Sequence, residues 1–272
     1  MATRWGVALL AFVVVGCGCL VVSTPKPTPL SHATGARDVL LRMWVGGGLP
    51  NPGKTVEEPP EFTLYGNGRV IHVTEQASGN GPGVSELRQA QLTDDQIDVL
   101  LRIALNDGGL GAAQKSYSDV QVFDAGSTWF EVHAGGVDKT VRVYALGFMD
   151  NLTPSAQIRA AFRLLAGKLH DFAAEVTAGR ATDVGLYEPE AYRVTLIAPL
   201  SGLEANADWP WPGIVPADFA QDSSGARMRI MTAAEGAAML DLGITYELVT
   251  RAPDGNTYMI RIHLLLPDEM PS

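Results

Sequence analysis

Cysteine is nearly absent from this chain. Its 272 residues include 2 cysteines, Cys17 and Cys19, and both lie in the apolar run near the N-terminus. The globular part therefore has no disulfide and no thiolate. Cys-ligated zinc, iron–sulfur clusters and cysteine nucleophiles are excluded there. Basic residues are also short: 20 Lys and Arg stand against 30 Asp and Glu, a formal net charge of -10. No basic run occurs, and phosphate binding needs a clustered Lys/Arg surface, so no nucleic-acid partner is expected. The 5 histidines are His32, His72, His133, His170 and His263. None stands two, three or four residues from another, so no paired metal ligands arise on a helix or strand. A Gly-x-Ser-x-Gly nucleophile elbow is missing as well. Neither a metal nor a cofactor is expected.

What remains is an ordinary globular composition, 46% hydrophobic and 18% charged, long enough for one or two domains. Residues 1–22 read as a targeting segment: Arg4, then an apolar stretch from Gly6 to Val22. Within it, Val14-Val15-Gly16-Cys17 resembles a bacterial lipobox, which implies cleavage before Cys17 and its lipidation. Val14 and Val15 depart from the usual Leu and Ala or Ser. An uncleaved anchor and an ordinary cleaved signal stay open beside that reading, and all three place the body outside the cytoplasm. Residues 23–36 form a tether, in which Thr24-Pro25-Lys26-Pro27-Thr28-Pro29 favours an extended polyproline conformation.

The body is expected to be organised around Phe62–Val73, a hairpin turning at Gly66-Asn67-Gly68, with both glycines supplying positive φ. A strand at Asp38–Val45 precedes it. Gly48-x4-Gly53-Lys54-Thr55 satisfies the Walker A pattern, but Pro50 and Pro52 remove donors from the cradle and Pro59-Pro60 stop any helix. No nucleotide site is expected. Thr74–Arg88 reads as loop. Thr93-Asp94-Asp95-Gln96 is a capping box opening an amphipathic helix that Gly108 stops. Strands at Thr128–Ala134 and Lys139–Leu146 form a second hairpin, with Glu131 and His133 facing away from Phe130 and Val132. A long helix with Thr153 as cap and Pro154 at its first position carries an apolar stripe from Ile158 to Val176. Beyond it come a strand at Tyr192–Ala198, a short helix capped by Thr232, and a closing hairpin from Ile244–Thr250 to Thr257–Leu266.

Few residues suggest chemistry. Asp124, Glu131, His72 and His133 would carry a hydrolase if the sheet gathered them. Glu61 and Glu131 would form a carboxylate pair only if brought together. His72 and His133 could approach each other if they sat on neighbouring strands, which is the only arrangement in which a shared metal would arise. The most suggestive surface is Trp209-Pro210-Trp211-Pro212, whose proline-fixed indoles suit stacking on sugars or Pro-rich peptides; the alternative is a lid over the core of the second half.

Glu58-Pro59-Pro60-Glu61-Phe62-Thr63-Leu64-Tyr65-Gly66-Asn67-Gly68-Arg69-Val70-Ile71 resembles a segment of uncharacterised bacterial lipoproteins in which a proline, an aromatic and Leu-Tyr-Gly-Asp-Gly recur. A Gly-Gly pair before it, matched by Gly46-Gly47, and a Tyr…Asp-x-x-Thr-Thr stretch after it, matched loosely by Tyr117 and Asp124–Thr128, extend the resemblance over residues 37–178. Asn67 stands for the usual Asp and Ser127 for the first Thr. The resemblance implies lipidation at Cys17 and adds no catalytic residue.

The expectation is an α+β protein: an antiparallel sheet covered by helices at 37–179, then a smaller α+β unit at 180–272. It would be an exported, lipid-anchored envelope protein, attached to the membrane through its N-terminus. It would bind a protein or glycan non-catalytically, with Trp209 and Trp211 as the first candidate residues.

Overall fold

The computed structural model describes residues 28–47, 58–76, 84–198, 204–223, 225–240, 242 and 248–271. The N-terminal segment with Cys17, the tether up to residue 27, the Gly48–Thr55 loop and residues 244–247 of the closing hairpin lie outside them. The protein is of the α+β class, with two sheets.

The larger sheet has eight strands: β1 (Val39–Gly47), β2 (Phe62–Tyr65), β3 (Arg69–Gln76), β4 (Val84–Gln91), β5 (Ser116–Tyr117), β6 (Gly126–Ala134), β7 (Val137–Tyr144) and β8 (Thr182–Leu186). Their spatial order is β5-β7-β6-β1-β2-β3-β4-β8. Every pairing is antiparallel except β5 with β7. The expected hairpin is β2–β3, with Phe62 opposite His72. Its glycines act differently from expectation. Gly68 has φ +83, whereas Gly66 serves close approach, since a Cβ there would meet the Ala33 carbonyl oxygen at 2.6 Å. The stretch read as loop from Thr74 to Arg88 is largely strand, because β3 and β4 pair from Arg69–Gln91 to Gln76–Val84. β8 pairs with β4, so the larger sheet runs past residue 179.

One face of this sheet is covered by α1 (Asp94–Arg102), a π-helical turn (Ile103–Asp107), α2 (Ala156–His170) and α3 (Phe172–Thr177). The Thr93 capping box closes reciprocally: the Gln96 N–H donates to Thr93 Oγ1 and the Thr93 N–H to Gln96 Oε1. Ile97, Leu100 and Leu101 from α1 and Phe162, Leu165 and Leu169 from α2 bury against Met43, Phe62, Leu64, Phe130 and Val132. Thr153 does not cap α2. Its hydroxyl donates to the Asp150 carbonyl in a 3-10 turn, and the helix begins at Ala156. The apolar stripe is also broken, because Asp171 leaves helical geometry between α2 and α3. Arg159 of α2 is 0% exposed and fully engaged: Nε donates to Asp150 at 2.7 Å, Nη1 faces Asp119 at 3.4 Å, and Nη2 donates to the Tyr144 and Ala145 carbonyls. That network ties the helix layer to the end of β7. Part of the expected tether is packed too. The Leu30 N–H donates to Asp98, Arg102 donates to the Thr28 carbonyl, and His32 bridges Ala134.

The smaller sheet contains β9 (Ala191–Ile197), β10 (Ala220–Gln221), β11 (Arg227–Thr232), β12 (Val249–Arg251) and β13 (Thr257–Leu264), in the order β10-β11-β9-β13-β12. Two of its strands, β10 and β11, are absent from the expectation. A short helix, α4 (Ala233–Leu240), is capped as expected: Thr232 and Glu235 exchange backbone and side-chain bonds. It lies so close to β9 that a Cβ on Gly236 would meet the Tyr192 ring at 2.1 Å.

The two sheets meet through the chain after β13. Leu266 buries against Tyr65 and Ile71 on the helix-free face of the larger sheet. The Tyr187 hydroxyl donates to the Leu265 carbonyl. Asp268 accepts from Arg42 at 2.6 Å and from the Tyr65 hydroxyl at 2.7 Å. Burial, followed by the Asp268 charge, pushes the Tyr65 hydroxyl well above its usual range, so it stays a donor.

Candidate functional site

The residues proposed for a hydrolase are not gathered. His72 points to the helix face, edge-on to Phe172, while His133 points to the opposite face beside Glu131. Two strands separate β3 from β6, which puts the two histidines roughly 14 Å apart even before the change of face. A shared metal between them is therefore ruled out by geometry. Asp124 is exposed at φ +58 in the turn before β6, roughly 25 Å along the strand from His133. Glu61 accepts from His170 on α2 at 2.9 Å, whereas Glu131 contacts Arg42 at 3.7 Å on the other face. The carboxylate pair does not form. His133 itself is held between Glu131 at 2.9 Å and Asp138 at 2.9 Å, so both ring nitrogens are occupied. Among the described residues no group of three His, Cys, Asp or Glu is placed to hold a metal ion, and no helix is long and apolar enough to cross a membrane.

The Trp-Pro loop is placed differently from the exposed platform that stacking requires. Trp211 is 3% exposed in the core of the smaller unit, and its indole N–H donates to the Glu235 carbonyl at 2.8 Å. Trp209 is half-buried, with its N–H on the Ile214 carbonyl. The two rings meet edge to face at 5.2 Å and pack on Phe219. The reason is a shortage of helix. α4 has only eight residues, too few to cover five strands, and the indoles supply the missing apolar area. Both tryptophans are thus part of the lid.

A groove survives beside that lid. Pro210, the edge of Trp211, Pro212 and Ile214 form one wall, and Ala234, Glu235 and Ala238 of α4 form the other, around about 340 Å3. Its surface is mainly apolar. The one carboxylate, Glu235, is held below the usual carboxylate range by the Thr232 backbone N–H, with the Thr232 hydroxyl and Arg229 adding to the effect.

A second aromatic surface is invisible in the linear sequence. On the helix-free face, Trp44 of β1 lies directly opposite Trp129 of β6, with rings parallel to within 2° and centroids 5.7 Å apart. Arg142 of β7, the register neighbour of Trp129, lies over that ring at 5.2 Å. Trp44 and Trp129 are half-buried, and Arg42, Glu131 and Thr140 flank them as the polar residues of the next row. β1 comes from a part of the chain distant from the β6–β7 hairpin, so only the sheet order reveals that Trp44 meets Trp129.

No protein-family model, no curated protein and no solved structure matches the chain.

Proposed function

We propose that this protein is an exported, lipid-anchored envelope module that binds a polypeptide segment without chemical turnover. The lipobox-like Val14–Cys17 and the resemblance of the Pro59–Ile71 segment to bacterial lipoproteins support export and attachment. The observation that carries the binding reading is the apolar groove between the Trp-Pro loop and α4. Proline rings and an indole edge make a preformed, low-entropy wall of the kind that receives extended apolar or Pro-rich segments. A glycan fits this groove poorly, because its hydroxyls need convergent polar groups and the only one lining it, Glu235, is already engaged. A glycan reading belongs instead to the Trp44–Trp129 ladder, where Arg42, Arg142, Glu131 and Thr140 stand beside the rings.

Affinity capture from a native envelope extract tests both surfaces, using the full chain and two folded variants. Ala234→Arg places a long charge in the groove at an exposed helical position. Arg142→Glu removes the cation over Trp129. A stoichiometric protein lost only with Ala234→Arg is the expected result. A glycan lost only with Arg142→Glu moves the site to the sheet. A ligand retained by both variants, or no ligand at all, overturns the proposal.

A further inference from the structure

His72 sits where a histidine is costly. It is 1% exposed, on the helix face of β3, and neither ring nitrogen has a protein hydrogen-bond partner. Phe172, the first residue of α3, lies against the ring at 5.3 Å. An imidazolium here would be a buried charge with no carboxylate paired directly to it, which is among the less favourable groups a core can hold.

Its surroundings offer no relief. Opposite it on β4 is Arg88, already paired at 2.7 Å with Asp183 of β8. Opposite it on β2 is Phe62, and the neighbouring Glu61 is committed to His170 of α2. Glu175 of α3 is bound by Lys168 and Arg180. Two positions along β3, Thr74 faces Glu86 of β4 and donates to its carbonyl. Burial holds the imidazole below its usual range and Arg88 adds to this, against the Val73 backbone and Asp183.

The elements next to His72, α3 over its ring and β8 beyond Arg88 in the sheet, are both weakly secured. α3 has six residues and is cut off from α2 at Asp171. β8 is an edge strand with one partner, and Thr182, Asp183 and Val184 are exposed. We propose that His72 is an acid trigger built into the fold: its protonation releases α3 and β8 from the sheet while α2 and the central strands stay in place. A charge on His72 is stabilised only when water reaches it, and displacing Phe172 with the Arg88–Asp183 edge is the shortest way to admit water.

The sign follows from linkage. The opened segment titrates near the ordinary histidine value and the closed one lower. Closure is therefore fully favoured above about pH 6.5 and weakens progressively as the pH falls towards the depressed value. At pH 5.5 the opening equilibrium should rise, by about tenfold at most.

Hydrogen exchange of the full chain at pH 7.5 and 5.5, corrected for intrinsic rates, reads this directly. Residues 172–186 should gain in exchange, by up to about tenfold, while β6 and α2 do not. His72→Leu should remove that gain. If His72→Leu does not fold, the His72 ring followed by NMR in the unaltered chain decides, since the proposal requires it to remain neutral in the closed state below pH 6.5. Exchange at 172–186 that is indifferent to pH, a gain that persists in His72→Leu, or a His72 ring titrating at its ordinary value in the closed state would each overturn it.

Discussion

The two sheets solve the same problem with different materials. The larger one buries its face under α1, α2 and α3, whose aliphatic stripes and Phe162 and Phe172 meet β1, β2 and β6. The smaller has, among the described residues, one short α-helix and closes its core with Trp209, Trp211 and Phe219 from loops. Where helices are plentiful, tryptophans are free to stand on the open face, as Trp44 and Trp129 do. Where helices are scarce, tryptophans become the cover. An aromatic-rich loop is thus evidence about what a domain lacks before it is evidence about what the domain binds.

The sharpest test of the helix-covered side is Arg159→Met, which keeps volume and leaves the buried Asp150 carboxylate without its cation, while Asp119 keeps its bonds from Ser155. Breaking a buried ion network this way should cost about 3–5 kcal/mol, read from urea unfolding. A loss below about 1 kcal/mol would mean that the helix layer does not depend on this network. On the loop-covered side, Trp211→Ala should cost about 3–5 kcal/mol, whereas Trp44→Ala, at a half-exposed cross-strand pair, should cost about 1 kcal/mol or less. The reverse order would break the comparison and return Trp211 to the surface. Asp268→Ala probes the joint between the sheets. It removes the acceptor shared by Arg42 and Tyr65 and should cost about 1.5–3 kcal/mol, with the two units unfolding less cooperatively in calorimetry. The smallest effect concerns acid. Hydrogen bonding from Arg180, then Lys168, holds Glu175 down at about 2. Its contribution is therefore full above the ordinary glutamate value and fades as the pH falls from there towards 2. Glu175→Gln should flatten the unfolding profile in that window, and an unchanged profile would show that neither Arg180 nor Lys168 contributes through Glu175.

Local signals were legible in the sequence. Both capping boxes, the Phe62–Val73 hairpin and the apolar stripe of α2 rest on spacings of two to four residues, and each forms. The start of α2 was not legible, because the Thr153 hydroxyl has a competing acceptor in the Asp150 carbonyl. β11 escaped notice because its alternation spans six residues and puts Arg229 beside Met231 on the covered side. Least legible was anything that depends on strand order. The separation of His72 from His133 and the meeting of Trp44 with Trp129 are set by which strands are neighbours, and the reach of Asp268 to Arg42 by how the chain after β13 packs on the larger sheet; spacing along the chain carries no record of either.

The docking of Thr28–His32 has a mechanical consequence. Any pull applied upstream of Thr28 is not borne by the sheet as a whole. It falls first on the Arg102 contact with Thr28, then on the Leu30 bond to Asp98 and on Ser31, which accepts from the Gly135 N–H at the tip of β6–β7. Loaded from that end, these bonds give way one after another, as in peeling, rather than together, as in shear. The expected outcome is that the short packed lead-in lengthens under tension while the two sheets behind it remain folded, which force spectroscopy on the full chain would register as a short extension ahead of the main unfolding event.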